Sequence, residues 1–339
     1  MLAAPDRALQ PGGPLYRKAC MFDVTQLAQG VALEDIVRMQ GRYAAQAPVF
    51  HVEELPEASF QPASQVEGLS ADDIVVAVTV GDTVRAYPLS VVRSYIGLSD
   101  RIGGRPVFLC WNTFVQRASA LIAATGGKDL QFRDAGVMYR GHNVYYDVGT
   151  GSLWDPASGL ALTGPLAGHS VEALPVSLLT WAGLKEAHPD SLTLVSESLH
   201  ATDGKLDRLY ADSPLIPFPL RHFEPATGEL PAKEFVLGVF IDGQARAYPL
   251  SRLYQGQPGR ISDTVGGKRV NIYVTSERTA HATSETGDPL DAPVILWVGW
   301  KEIHPETTLY APSEPQESPA ASRETGVSRS TRRSTSSQP

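Results

Sequence analysis

Continuous and alternating apolar runs, more than helical periodicity, organise this chain. DIVVAVTV (73–80) is a β-rich run, Gly81–Asp82 is a turn signal, and TVRAYPL resumes extended chain, so a β-hairpin is predicted. LSVVRSYIG (89–97) predicts a short helix with Leu89, Val92 and Ile96 on one face, and RPVFLCWNTF (105–114) predicts a strand after the Gly103–Gly104 turn. SALIAAT, LQFR, GVMYR and NVYYDV read as further short strands, and WAGLKEAHP as a helix stopped by Pro189. Before all of these, 21–43 holds one amphipathic helix, with Leu33, Ile36, Val37 and Met39 near helical spacing.

The same scheme then recurs. GDTVRAYP (81–88) is echoed by DGQARAYP (242–249), SDRIGGRPV (99–107) by SDTVGGKRV (262–270), and TWAGLKEAHPDSLTL (180–194) by LWVGWKEIHPETTLY (296–310). Phrases matching in the same order imply two copies of one structural unit. Within the second, EFVLGVFIDGQARAYPL predicts a hairpin turning at Asp242–Gly243 in type I′ geometry. The expected fold class is α+β, predominantly antiparallel, built from two pseudo-repeated hairpin-helix-strand units. The expected organisation is an entry segment at 1–70, a first unit with a unique β insertion at 71–202, a Pro-rich connector at 203–232, a second, shorter unit at 233–311 and a disordered tail at 312–339. That tail is rich in Ser, Thr, Pro and Arg, with almost no apolar residue to offset ordering entropy.

Composition narrows the function classes. A net charge of −8 argues against general nucleic-acid binding, which needs clustered Lys and Arg to neutralise phosphates. No apolar run is long enough for a spanning helix. Cytoplasmic residence is the default expectation, and secretion would follow if the true start lay upstream. Cys20 and Cys110 are the two cysteines, with no CxxC pair for a Cys-rich zinc site.

Duplication separates framework from candidate chemistry. Arg85 and Tyr87 recur as Arg246 and Tyr248, and read as clamps on each hairpin; Asp100 and Asp263 read as caps of the Gly-Gly turns. His188 and His304 are expected at helix C-termini, where a charged imidazole suits the dipole. Unique to the first half are Cys110, Trp111 and Asn112, and the span GHNVYYDVGTGSLWD. Cys110, His142 and Asp147 are its candidate catalytic residues; Trp111, Asn112, Tyr146, Ser152 and Trp154 are its candidate ligand-binding residues. His142 and Asp147 are five apart, so they converge only if a turn or bulge intervenes.

VRAYPL, the SD-R-IGGRPV phrase, YYDVGTGSLWD, GLALTGPLAG and TWAGLKEAHPDSLTLVS together resemble a bacterial domain-of-unknown-function family, number 3179, over about residues 70–275. The resemblance implies a His-Glu pair in the helix after RAYP and a Cys-Pro-x-Cys-Gly phrase in the following strand, a set suited to a soft metal or to thiol redox chemistry. Here Tyr95 and Ile96 stand at the first place, and Asn112 and Val115 at the cysteine positions. Two readings follow. One is a divergent, non-catalytic member with a degenerate metal site and no cofactor, binding a small molecule or a protein partner. The other is an oxidoreductase, dependent on a thiol or one transition metal, rebuilt around Cys110, His142 and Asp147.

Overall fold

A computed structural model describes residues 27–32, 35–38, 52–55, 59–95, 97–195 and 229–311. The fold is β-rich with a few short helices, and its sheets are mostly antiparallel. The first hairpin joins Ile74–Val80 to Thr83–Pro88. Its outer neighbours are Val176–Thr180, antiparallel, and Leu192–Leu194, parallel. The second hairpin joins Phe235–Ile241 to Gln244–Pro249, flanked by Val294–Leu296, antiparallel, and Thr308–Leu309, parallel. The two sets share their strand order, and Arg85 opposite Leu192 has its counterpart in Arg246 opposite Thr308.

Local chemistry explains these elements. Asp242 and Gly243 both hold positive φ, 48° and 79°, as a type I′ turn requires. The helix Trp181–Ala187 begins where Thr180 accepts a bond from the Gly183 amide. It ends at His188, before Pro189. Gly238 in the second hairpin is a packing requirement, because a Cβ there would lie 2.2 Å from the Trp300 ring.

Two further sheets form the middle of the chain. Ala173–Leu174, Arg117–Ile122, Arg105–Asn112, Gly97–Ile102 and Val52–Glu54 make one, the last pair parallel. Ile36–Arg38, Phe132–Tyr139, His142–Asp147, Leu153–Asp155 and Leu160–Thr163 make the other. The expected strands LQFR and GVMYR are thus one strand, bulged between Asp134 and Met138 with Gly136 at φ 64°. Ile36 and Val37, expected in a helix, are in a strand instead: pairing with 137–139 satisfies their backbone, and Ile36 joins a small core there. Most of that expected helix, nearly all the connector and the tail fall outside the described residues.

The core ties the halves together. One buried cluster draws Val76, Tyr87, Leu98 and Trp111 from the first half and Leu237, Tyr248, Ile272 and Val294 from the second. Backbone bonds cross as well: Leu178 bridges Ala280, and the Leu296 amide donates to the Val115 carbonyl at 2.9 Å. A separate aromatic cluster lies between the two middle sheets, with Phe108 4.9 Å from Phe132 and 4.8 Å from Tyr145.

Candidate functional site

Strand alternation sends Cys110 and Trp111 into different cores. Cys110 joins Phe108, Tyr145 and Trp154 in the aromatic cluster, whereas Trp111 joins Leu109 in the large core. Burial pushes the Cys110 thiol up to about 12. A nucleophile or metal ligand needs the thiolate, and this thiol stays protonated near neutrality. Asn112 is saturated by its neighbours. Its amide nitrogen donates to the Gly141 carbonyl (3.0 Å) and to Asn143 Oδ1 (3.3 Å), while its oxygen accepts from the amides of Phe114 (2.8 Å) and Val115 (3.1 Å). It ties the end of one sheet to the hairpin tip of the other.

No turn or bulge intervenes to bring His142 and Asp147 together. They occupy opposite ends of the continuous strand His142–Asp147, which separates them by about 16 Å at the usual rise per residue. Asp147 instead organises the next turn, accepting from the Thr150 amide and hydroxyl, both at 2.6 Å, and from Trp154 Nε1 at 3.0 Å. Ser152 Oγ lies 2.7 Å from Thr150 Oγ1 and accepts from the Leu166 amide at 3.0 Å. Tyr146 packs in the small core with Val144 and Leu162. Among the described residues no group of three His, Cys, Asp or Glu is placed to hold a metal ion.

The residues common to both halves form one constellation in each. Arg85 Nη1 donates to both Asp100 oxygens (3.0 and 3.1 Å), and the Tyr87 hydroxyl donates to Asp100 Oδ2 at 2.5 Å. Arg246 and Tyr248 donate to Asp263 Oδ2 at 2.7 and 2.8 Å. The aspartates do not cap the Gly-Gly turns as expected. Among the described residues the one backbone amide each accepts from is that of the next residue, Arg101 or Thr264, and its other bonds come from the Arg and Tyr. Burial pushes the Asp100 carboxyl up, against the pull of Tyr87 and Arg85. For Asp263 burial also acts upward, but hydrogen bonds from Arg246, Thr264 and Tyr248 prevail and its carboxyl sits below the ordinary value.

His188 and His304 do follow their helices, but as neutral rings. Burial lowers His188, and burial with the nearby Arg117 and Arg140 charges lowers His304 to about 4. The charged, dipole-stabilised form expected from sequence is therefore not the one present at neutral pH. His304 instead stacks on Phe240 (4.7 Å between centroids) and packs tilted against Trp300 (4.2 Å). Nearby, Arg117 is buried opposite Asn112, bonded through Nη2 to the Ala157 carbonyl, with no partner for Nε among the described residues. His142 Nε2 is likewise buried without a partner among the described residues, and burial holds that ring neutral.

One cleft lies elsewhere. A cleft of about 390 Å³ runs beside the strand Gly97–Ile102, with Pro106, Val107, Ala123 and Leu130 as apolar surface. Arg101 and Asp129 pair with each other at its rim. Glu54 and Arg133 also line it, and neither has a charged partner among the described residues. Arg133 Nη1 holds the Phe132 carbonyl at 2.8 Å. None of the five expected ligand-binding residues lines this cleft. Its walls are brought together by sheet pairing from separate stretches of chain, so no local motif announced it.

The model of a family described as "Protein of unknown function (DUF3179)" matches residues 54–292. No curated protein matches the chain, and no solved structure does.

Proposed function

The chain belongs to DUF3179, a family of proteins of unknown function, and from that premise we propose that it binds a small polar molecule in the cleft beside Gly97–Ile102 without catalysing its conversion. The observation that carries this reading is the cleft itself. Its volume suits a small ligand, and its lining combines an apolar floor with two opposite charges, Arg133 and Glu54, left for a ligand to meet. The protonated Cys110 and the separation of His142 from Asp147 count against the oxidoreductase alternative. We also infer that the two hairpin regions are copies of one unit; the common strand order, the common register and the Arg-Asp-Tyr constellation in each support it.

A thermal-shift screen with amino acids, carboxylic acids and small zwitterions tests the cleft. A true ligand raises Tm with concentration, because it stabilises only the folded state. The rise is expected to vanish in Arg133→Ala and in Leu130→Trp, which fills the space. A hit that survives both substitutions, or a panel with no hit, sinks the reading.

A further inference from the structure

A buried guanidinium lies without a counter-charge where the two middle sheets meet. Arg117 is 5% exposed and His142 3%. Arg117 stands opposite Asn112 on its ladder, and Asn112 Nδ2 donates to the carbonyl of Gly141, the residue before His142. One side chain therefore ties both residues to the same place. Arg117 spends Nη2 on the Ala157 carbonyl at 3.2 Å. Among the described residues its Nε and His142 Nε2 are buried with no hydrogen-bond partner, and Arg117 has no ion pair. A buried charge with no counter-charge is costly, and so is each unmade hydrogen bond. The nearby acids do not meet that need. Asp155 accepts from Ser158 Oγ (2.6 Å) and the Ala157 amide (3.0 Å) instead. Asp291 keeps access to solvent and makes no ion pair with Arg117 among the described residues. Desolvation pushes both carboxyls up, against the pull of Arg117, which favours the neutral acids. Burial, and after it the Arg117 charge, lowers the His142 and His304 rings, so neither imidazole adds a second cation at neutral pH.

We propose that Arg117 and His142 bind a small monovalent inorganic oxyanion, of the size of nitrate or bicarbonate, at the seam between the strands Arg117–Ile122 and His142–Asp147. The anion accepts from Arg117 Nε and, in its Nε2–H tautomer, from His142. Its single charge matches the one guanidinium, and the neutral imidazole adds a donor without a second charge. Hydrogen bonds to an ionised oxygen are the stronger kind, and one guest satisfies both orphaned donors. Near-complete burial limits that guest to a few atoms, which excludes the amino acids and larger carboxylic acids suited to the cleft. Neither Arg117 nor His142 lines the cleft, so the two sites are independent.

The test joins thermal shift with sodium nitrate, against sodium chloride at equal ionic strength and neutral pH, to line broadening of carbon-13 bicarbonate in NMR spectra. Nitrate is expected to raise Tm to a plateau that chloride does not reach, since only the folded chain holds the site. The bicarbonate line is expected to broaden with the full chain and to sharpen again when nitrate, but not chloride, is added. That readout needs no variant to fold. His142→Phe is expected to weaken nitrate binding about tenfold, the loss of one hydrogen bond to a charged group, and Arg117→Gln to abolish it. Arg133→Ala, which alters the cleft alone, is expected to respond as the parent does. Equal effects of nitrate and chloride, or a bicarbonate line that stays sharp, overturn the proposal, because water would then serve the two donors. A response that persists in Arg117→Gln or disappears in Arg133→Ala also overturns it, because the anion would then sit elsewhere.

Discussion

Single side chains here are tuned mainly by burial. Asp134 sits at the bulge of Phe132–Tyr139, where one bond from the Gly136 amide (3.2 Å) is its compensation, and burial pushes its carboxyl from 3.8 up to about 6. A carboxyl raised in the folded state holds its proton more tightly there than in the unfolded chain. Its contribution is therefore most favourable below pH 4 and is lost as pH rises from about 4 to about 6, by at most about 3 kcal/mol. Asp134→Asn is expected to be more stable than the parent at pH 7.5, with the gap closing by pH 4, in urea denaturation followed at both pH values. An unchanged gap would mean that the carboxyl is not desolvated. Cys110 teaches the related lesson for chemistry. The sequence marks a cysteine at a strand end unique to the first half, but nucleophilicity depends on surroundings that only packing supplies.

At the scale of elements, the same three residue types carry different weight in the two halves. Asp100 and Arg85 are buried almost completely, whereas Asp263 and Arg246 remain partly wet. Removing one partner of a buried pair leaves the other charge without compensation, which costs about 3–5 kcal/mol, while a partly exposed pair contributes about 1 kcal/mol or less. Asp100→Ala is accordingly expected to lower the urea midpoint several times more than Asp263→Ala. Equal losses would contradict the role assigned to burial. Alternation and turn residues made the hairpins, the Asp242–Gly243 turn and the helix before Pro189 legible in advance. The strand at Ile36–Arg38 was not, since four apolar positions at helical spacing fit either state until a partner strand decides between them. The joining of Arg, Asp and Tyr into one constellation was equally hidden, because the Asp lies on a different strand from the other two.

At the scale of the whole molecule, the central question is whether the halves stand alone. Their shared core and the crossing backbone bonds at Leu178–Ala280 and Val115–Leu296 make separate unfolding unfavourable. Calorimetry is expected to give one transition, with calorimetric and van't Hoff enthalpies in agreement. Two resolved transitions would mark independent domains with a boundary near the connector. Among the described residues no helix is long and apolar enough to cross a membrane.

The sequence by itself determined the hairpins, their turns and the helix before Pro189, because period, turn chemistry and repeated phrases act over a few residues at a time. It also marked the framework residues, since Arg85, Tyr87 and Asp100 recur with the same spacing as Arg246, Tyr248 and Asp263. Tertiary structure decided what those residues do to one another and that Cys110 is buried as a protonated thiol. It also placed the open space between Glu54 and Arg133, far apart in sequence. Burial and long-range strand pairing set these outcomes, and neither is a property of a local run of residues.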